Sequence, residues 1–276
     1  MEQARKLPIG IQSFEVLRTQ GYLCVDKTAW ILLFIFPVIF LTACQTGNSI
    51  QRQMQGIQSE LFYELTTPVY LENIGKTIYL DTIDDSATPP YTTVKRKGGV
   101  IIPLLFFNFG KDNYEVTLGE KSLIQPYSDF LADALLAECN RSSCFNLKVK
   151  NGDLLPDSAL ILEIKVNKNI TTSKMISSGG VFLFPMNGVF SIDFSNWEVK
   201  PSVSWVDISA RLMQEGNCLW EKTYSDTQDL YGRKGIEKSE KAYETCIDDM
   251  TECLSYTTKG IVENISQNLH LLMLQK

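Results

Sequence analysis

The stretch from Trp30 to Cys44 constrains this chain more than any other. Residues 31–41 are apolar without interruption, Lys27 stands just before them, and the small residues Thr42 and Ala43 lead to Cys44 and then to the polar Gln45–Ser49. A basic flank, a short apolar core and small residues before a cut are the anatomy of a secretory signal. The run falls short of the roughly 20 apolar residues that a membrane-spanning helix needs. It therefore predicts a signal segment over 30–44 and a folded body downstream of it.

Leu41-Thr42-Ala43-Cys44 resembles the lipobox of bacterial, Bacteroidetes-like lipoproteins. That resemblance implies that the sulfur of Cys44 carries acyl chains such as palmitate and that Cys44 becomes the first residue of the working protein. Attachment then follows from burial of the chains, at about 0.8 kcal/mol per methylene. Gln45 follows the cysteine where an Asp would retain enteric lipoproteins at the inner membrane, so the resemblance implies an outer-membrane location.

The segment before the signal carries a second resemblance. Leu7–Phe14 and Tyr22–Thr28 look like the opening of AAA-ATPase-like proteins associated with PD-(D/E)XK nuclease domains. Such proteins go on to a phosphate-binding loop. Here Gly75-Lys76-Thr77 supplies only the tail of one, because Tyr70 occupies the position of the first glycine. Without that glycine the backbone amides cannot cradle phosphates. Residues 1–29 are thus expected to be a fused or misassigned extension, with a working cytoplasmic extension as the alternative.

Composition bounds the rest. A formal net charge of -6 opposes nucleic-acid binding, which depends on neutralising phosphates with Lys and Arg. Lys95-Arg96-Lys97 is the one basic cluster and reads as a solvated turn. Of seven cysteines, Cys139, Cys144, Cys218, Cys246 and Cys253 remain in the body once Cys24 and Cys44 are set aside. Cys139 and Cys144 could bridge a tight turn, and the alternative is buried thiols. Cys246 and Cys253 stand about 10 Å apart along a helix, and no spacing suits zinc.

Taken in order, the body begins with a tether over 45–76, polar from Gln45 to Gln58. Alternation predicts a strand at Thr77–Ile83, broken by the turn residues Asp84–Pro90. Gly98–Phe109 reads as a second extended segment, apolar on both faces, with Pro103 on an edge or at a bulge and Asp112–Leu118 as a hairpin partner. Gln125–Asn140 predicts a helix with Pro126 in its first turn. Strands follow at Phe145–Val149 and Leu160–Val166, with a turn at Asn151-Gly152-Asp153. Val203–Leu212 and Cys218–Tyr224 flank Glu215-Gly216-Asn217 as a hairpin. From Glu240 to Leu274, Tyr243, Ile247, Met250, Leu254, Thr257, Ile261, Ile265, Asn268 and Leu272 recur at steps of three and four, which predicts a long helix. Gly260 in that run points to a bend or a close approach.

This order predicts a single α+β domain over 77–276, an antiparallel or mixed sheet with two main helices on one face. Behind a lipobox, the layout resembles ABC-type transport auxiliary lipoproteins and their relatives with a TolB-amino-terminal-like fold. The segment between Asn167 and Lys200 is long for that pattern.

No catalytic, cofactor-binding or metal-ligating set emerges from the residues. His270 is the sole histidine and has no evident triad partner. The pairs Asp84-Asp85 and Asp248-Asp249 diverge on a strand or helix. The stretch that invites a role is Ser177–Phe194, bounded by glycines and interrupted by Pro185. It reads as two apolar strands joined at Met186-Asn187-Gly188, with Val181, Phe182, Phe184, Met186, Val189 and Phe190 as apolar contact residues. An exposed hairpin of this kind would touch lipid or a partner; a buried one would complete the sheet beside Val203–Leu212. Trp197, Trp205 and Trp220 suit core or interface anchors. The expected function is that of an envelope lipoprotein, a non-catalytic accessory that binds a partner protein or apolar cargo in transport. The rivals are a self-assembling subunit resembling curli-secretion lipoproteins, using 177–194 to enter the membrane, and a periplasmic hydrolase.

Overall fold

The computed structural model describes residues 47–65, 75–104, 107–142, 144–150, 155–156, 158–186 and 188–275. All belong to the second of two compact units, Gly47–Lys276. Cys44, the signal segment, the 7–28 resemblance and the turn expected at 151–153 lie outside the described residues.

Within that unit the class is α+β. Helices α1 (Gly47–Met54), α2 (Tyr127–Ser142) and α3 (Ser239–Leu274) accompany nine strands among the described residues. These are β1 (Thr77–Leu80), β2 (Thr93–Leu104), β3 (Phe107–Thr117), β4 (Asn146–Val149), β5 (Leu160–Met186), β6 (Gly188–Val199), β7 (Val203–Gln214), β8 (Asn217–Asp229) and β9 (Arg233–Ile236). One mostly antiparallel sheet holds them all, with β1 parallel to both β4 and β5.

The 27-residue strand β5 is the spine. Its first half lies between β1 and β7, and its second half lies between β3 and β6. At about 3.3 Å per residue β5 is roughly 90 Å long, whereas α3, 36 residues at 1.5 Å, reaches about 54 Å. One helix cannot cover the whole strand.

Over the body, the burial of β7 alternates strictly: Ser204, Val206, Ile208, Ala210 and Leu212 are buried and their neighbours are not. Period two puts every second residue on one face, and that is the face on which α3 packs across β5 to β8. Each fully buried aliphatic side chain contributes about 1.5–3 kcal/mol. With nineteen buried residues, α3 is therefore held by its packing more than by its propensity. Its stripe follows the expected positions from Tyr243 to Ile265 and then drifts to Leu269 and Met273. A 3.6-residue turn outruns a seven-residue repeat. At Gly260 a Cβ would come within 2.7 Å of the Asp226 carboxylate, so this glycine marks a close approach of β8.

Several expectations are revised. Gly47–Met54, read as part of a polar tether, is helical, with Ile50 and Met54 fully buried. The chain after it stays on the body, where Ser59 Oγ donates to Asp248 at 2.8 Å and Tyr63 OH donates to Glu138 at 2.8 Å. Lys95-Arg96-Lys97 lies in β2, not in a turn. Gly98–Phe109 is not one extended segment: the chain reverses between Leu104 and Phe107, and Pro103 sits on β2, an edge strand. The stretch after Asn167 is a continuous strand to Met186. Cys139 and Cys144 are free, buried thiols, as are Cys246 and Cys253, while Cys218 is exposed. Burial pushes the thiols of Cys139 and Cys246 up to about 12 and that of Cys253 to about 11. The β7–β8 hairpin is as expected and turns through Glu215 and Gly216, both at positive φ.

Candidate functional site

Beyond the first turns of α3, two hairpins run on side by side in the order β2-β3-β5-β6. Three aromatic rings clamp their base. Tyr114 of β3 stacks on Trp197 of β6 with centroids 6.2 Å apart, and Trp197 meets Tyr243 of α3 edge-on at 5.4 Å. Trp197 is thus a core anchor. Trp205 lies instead on the outer face, with Lys168 Nζ 2.9 Å from its ring centroid.

From the clamp outward, the register arranges the extension in rows. Asp112, Ser177 and Trp197 share one, followed by Lys111, Ser178 and Asn196, then Ile101, Gly110, Gly179 and Ser195. The next is Ile102, Phe109, Gly180 and Phe194, then Pro103, Asn108, Val181 and Asp193, then Leu104, Phe107, Phe182 and Ile192. Past the shorter hairpin, Leu183 faces Ser191 and Phe184 faces Phe190. Alternate rows share a face. The rows in phase with buried Tyr114, Met175, Trp197 and Val199 become mixed outward and carry no aromatic residue: Gly110, Ser195, Asn108, Asp193 and Ser191 stand with Ile101, Pro103, Val181, Leu183 and Val189. Rows of the opposite phase, which present Lys95, Glu115 and Lys174 on the body, become Phe109, Phe194, Phe107, Phe182, Ile192 and Phe190.

The aromatic residues of β3, β5 and β6 therefore fall, in the extension, in the phase opposite to that of Tyr114 and Trp197. No register shift interrupts β5 and β6 between Met175 and Met186, so a change of phase in the sequence is a change of face in space. An earlier phase change on β5, from Ile164 and Val166 to Asn169 and Thr171, is absorbed by a bulge between Val166 and Lys168 and keeps the same face buried.

The six residues singled out from the sequence lie where the hairpin was expected, with β5 ending at Met186 and β6 starting at Gly188. Register divides them: Phe182, Phe184, Met186 and Phe190 share the aromatic phase, and Val181 and Val189 the other. The hairpin does not lie beside β7, because β6 and β7 take successive stretches along one edge of β5. Sequence reasoning missed the second contributor, Ile102–Phe109, whose turn was hidden because Leu105 and Phe106 are not turn residues.

Cations concentrate at the base of the aromatic face. Lys97 Nζ lies 2.6 Å from the Glu115 carboxylate. The hydrogen bond from Lys97, with Lys174 and Lys95 nearby, holds that carboxylate below its usual range. On the other face Arg96 pairs with Asp112 at 2.5 Å. The edges differ from the interior: β2 pairs with β3 alone, and β6 meets β9 only at Trp197 and Val199, so Gly188–Asn196 has no strand on its outer side among the described residues.

Other sequence candidates have local roles. Asp84 pairs with Lys165 at 3.5 Å, and Asp85 accepts a hydrogen bond from Thr88 Oγ1. Burial raises the Asp85 carboxyl to about 6. Asp248 holds Ser59, whereas buried Asp249 pairs with Arg233 at 3.0 Å. Burial raises the Asp249 carboxyl and Arg233 opposes that rise. His270 is half-buried, and its Nδ1 accepts the backbone N–H of Cys144 at 3.2 Å. Among the described residues no helix is long and apolar enough to cross a membrane, a criterion that does not bear on strands.

No family model matches the chain, and no curated protein does. Among solved structures it is similar to protein XCC0632 from Xanthomonas campestris, assigned to the DUF330 family, at a TM-score of 0.40 and 10% identity over 79% of this chain and 96% of that one.

Proposed function

We propose that this chain is an outer-membrane lipoprotein, anchored through acyl chains on Cys44, and that it works as a non-catalytic assembly subunit whose paired hairpins enter a membrane beside those of its copies. The observation that carries this reading is the gathering of the aromatic residues of the extension in one phase, opposite to that of the body's buried face. Lipid-exposed strands alternate apolar-out and polar-in; Phe107–Lys111 of β3 and Ser191–Ser195 of β6 alternate in that manner, while β2 and β5 are apolar in both phases. Beyond the row of Trp197, Ser178–Met186 and Gly188–Asn196 each supply nine residues, against the roughly 9–11 a tilted strand needs to cross. The open edges at β2 and β6 support assembly. An unpaired edge is a template for another chain, and joining unlike edges head to tail closes a ring.

A second reading is favoured by the shorter hairpin. Gly98–Leu104 is only seven residues, or about 23 Å untilted. In that reading the aromatic face takes up a partner protein or apolar cargo, and the chain is an accessory in transport.

Size analysis and imaging of the full-length protein, extracted from envelopes in mild detergent, separate the two. Rings of many copies, reduced to monomers by Ile192→Arg with unchanged circular dichroism, are the expected result. A monomer that co-purifies with transporter components would replace the assembly reading by the accessory one. The anchor is tested by the mass of the amino-terminal peptide, which carries diacyl or triacyl cysteine at position 44 and loses it in Cys44→Ala.

A further inference from the structure

We infer that the outer face at the base of the extension is a docking surface for anionic lipid headgroups, a conclusion that rests on the membrane-entering reading above. Along β3 the outer phase runs Glu115, Asn113, Lys111, Phe109, Phe107, and along β5 it runs Lys174, Ile176, Ser178, Gly180, Phe182. Lys95 stands opposite Glu115, and Lys97 joins them through its ion pair. All four lysines are exposed. They lie behind the aromatic rows on the same phase: Lys111 is two residues, about 7 Å, from Phe109, and Lys95 and Lys174 are six residues, about 20 Å, from the row of Phe109 and Gly180. The acidic groups facing them are Glu115, shared among Lys95, Lys97 and Lys174, and Glu198, which is occupied by Lys200 and Lys234.

This local excess of cations belongs to a chain whose net charge is -6, so its position is informative. When the aromatic rows lie in hydrocarbon, Lys111 stands at headgroup depth, where it reaches phosphates while its methylene stem stays on the apolar surface, and Lys95, Lys97 and Lys174 add positive charge behind it. An anionic leaflet draws each such lysine by about a fivefold gain in partition. The belt would then set the depth of the hairpins as well as their affinity.

The test uses the full chain, reconstituted into vesicles of phosphatidylcholine alone or mixed with phosphatidylglycerol, and reads acylation of each lysine by a membrane-impermeant reagent with mass spectrometry. Lys148 on β4 is the internal control, because enclosure in a vesicle lumen would slow every lysine equally. Lys111 is expected to react about fivefold more slowly in the anionic vesicles relative to Lys148, with Lys95 and Lys174 slowed less and the difference shrinking in high salt. Glu115→Gln, at a half-exposed carboxylate and with its fold checked by circular dichroism, is expected to enlarge it. Equal relative rates in both vesicles would overturn the inference. A photoactivatable lipid probe in the same samples keeps this failure distinct. Labelling of the 181–194 peptide with indifferent lysines removes only the headgroup surface, whereas an unlabelled peptide removes the membrane-entering reading and this inference with it.

Discussion

The two halves of β5 obey one alternation rule and reach opposite outcomes. From Leu162 to Val166, and after the bulge from Asn169 to Met175, the residues that face α3 are buried. From Gly180 to Met186, Phe182, Phe184 and Met186 fall on the opposite phase, with no bulge to bring them back. In the body, apolar residues face a helix that belongs to the same chain. In the extension the aromatic residues fall in the phase opposite to the one that faces α3 on the body. A sheet whose aromatic residues change face along its length is built for two surroundings, because burial has to be found on each face separately.

The bulge is the sharpest place to break that contrast. Deleting Asn167 removes the extra residue and, by a one-position slip, turns Asn169–Met175 to the outer face. The expected cost exceeds about 4 kcal/mol, so the variant fails to refold after urea. Recovery of a native melt would show that the bulge does not set the face. A paired substitution comes next. Ile164→Ala, at a site 2% exposed, should cost about 2–5 kcal/mol in urea unfolding. Ile192→Ser in the extension should leave the unfolding midpoint in mild detergent within about 0.5 kcal/mol of the parent while lowering assembly. Equal losses at the two sites would mean that the extension packs as the body does.

A smaller effect tests the body through protons. The Asp85 carboxyl is raised from 3.8 to about 6, chiefly by burial, with Glu120 and Asp84 adding to it and Thr88 opposing it. The native state thus holds a proton that the unfolded state has released between those two values. Stability falls as pH rises through the window, and the penalty is complete above about 6. Asp85→Asn should add on the order of 1 kcal/mol at neutral pH and nothing below the lower value, read from urea unfolding at both. A gain independent of pH would assign the effect to packing. Least of all, Arg211→Gln on the outer face of β7, which breaks the solvent-exposed pair with Glu221 at 2.8 Å, should barely move the urea midpoint, and the small loss should vanish in salt.

Much of the fold was legible because its signals are local. Residues such as Ile247, Met250 and Leu254 recur with the helical period, and Val206, Ile208 and Ala210 recur with the period of a strand, while Glu215-Gly216 carries its own turn chemistry. The apolar tip at Met186-Asn187-Gly188 was legible for the same reason. The β2–β3 reversal was not, since Leu105 and Phe106 read as more strand. Helix α1 was missed because only Ile50 and Met54 in it are large and apolar, and their partners lie far along the chain.

What the sequence determined by itself is the phase of each alternating run and the two places on β5 where that phase changes, near Asn167 and between Ser177 and Gly180. Only the tertiary structure decided what those changes mean. Pairing with β7 admits a bulge at the first and preserves the face, whereas uninterrupted pairing with β3 and β6 at the second puts the aromatic residues on the other one. The reason is that a face is defined by neighbouring strands, and one strand's sequence does not record how many residues its partner spends opposite each of its own.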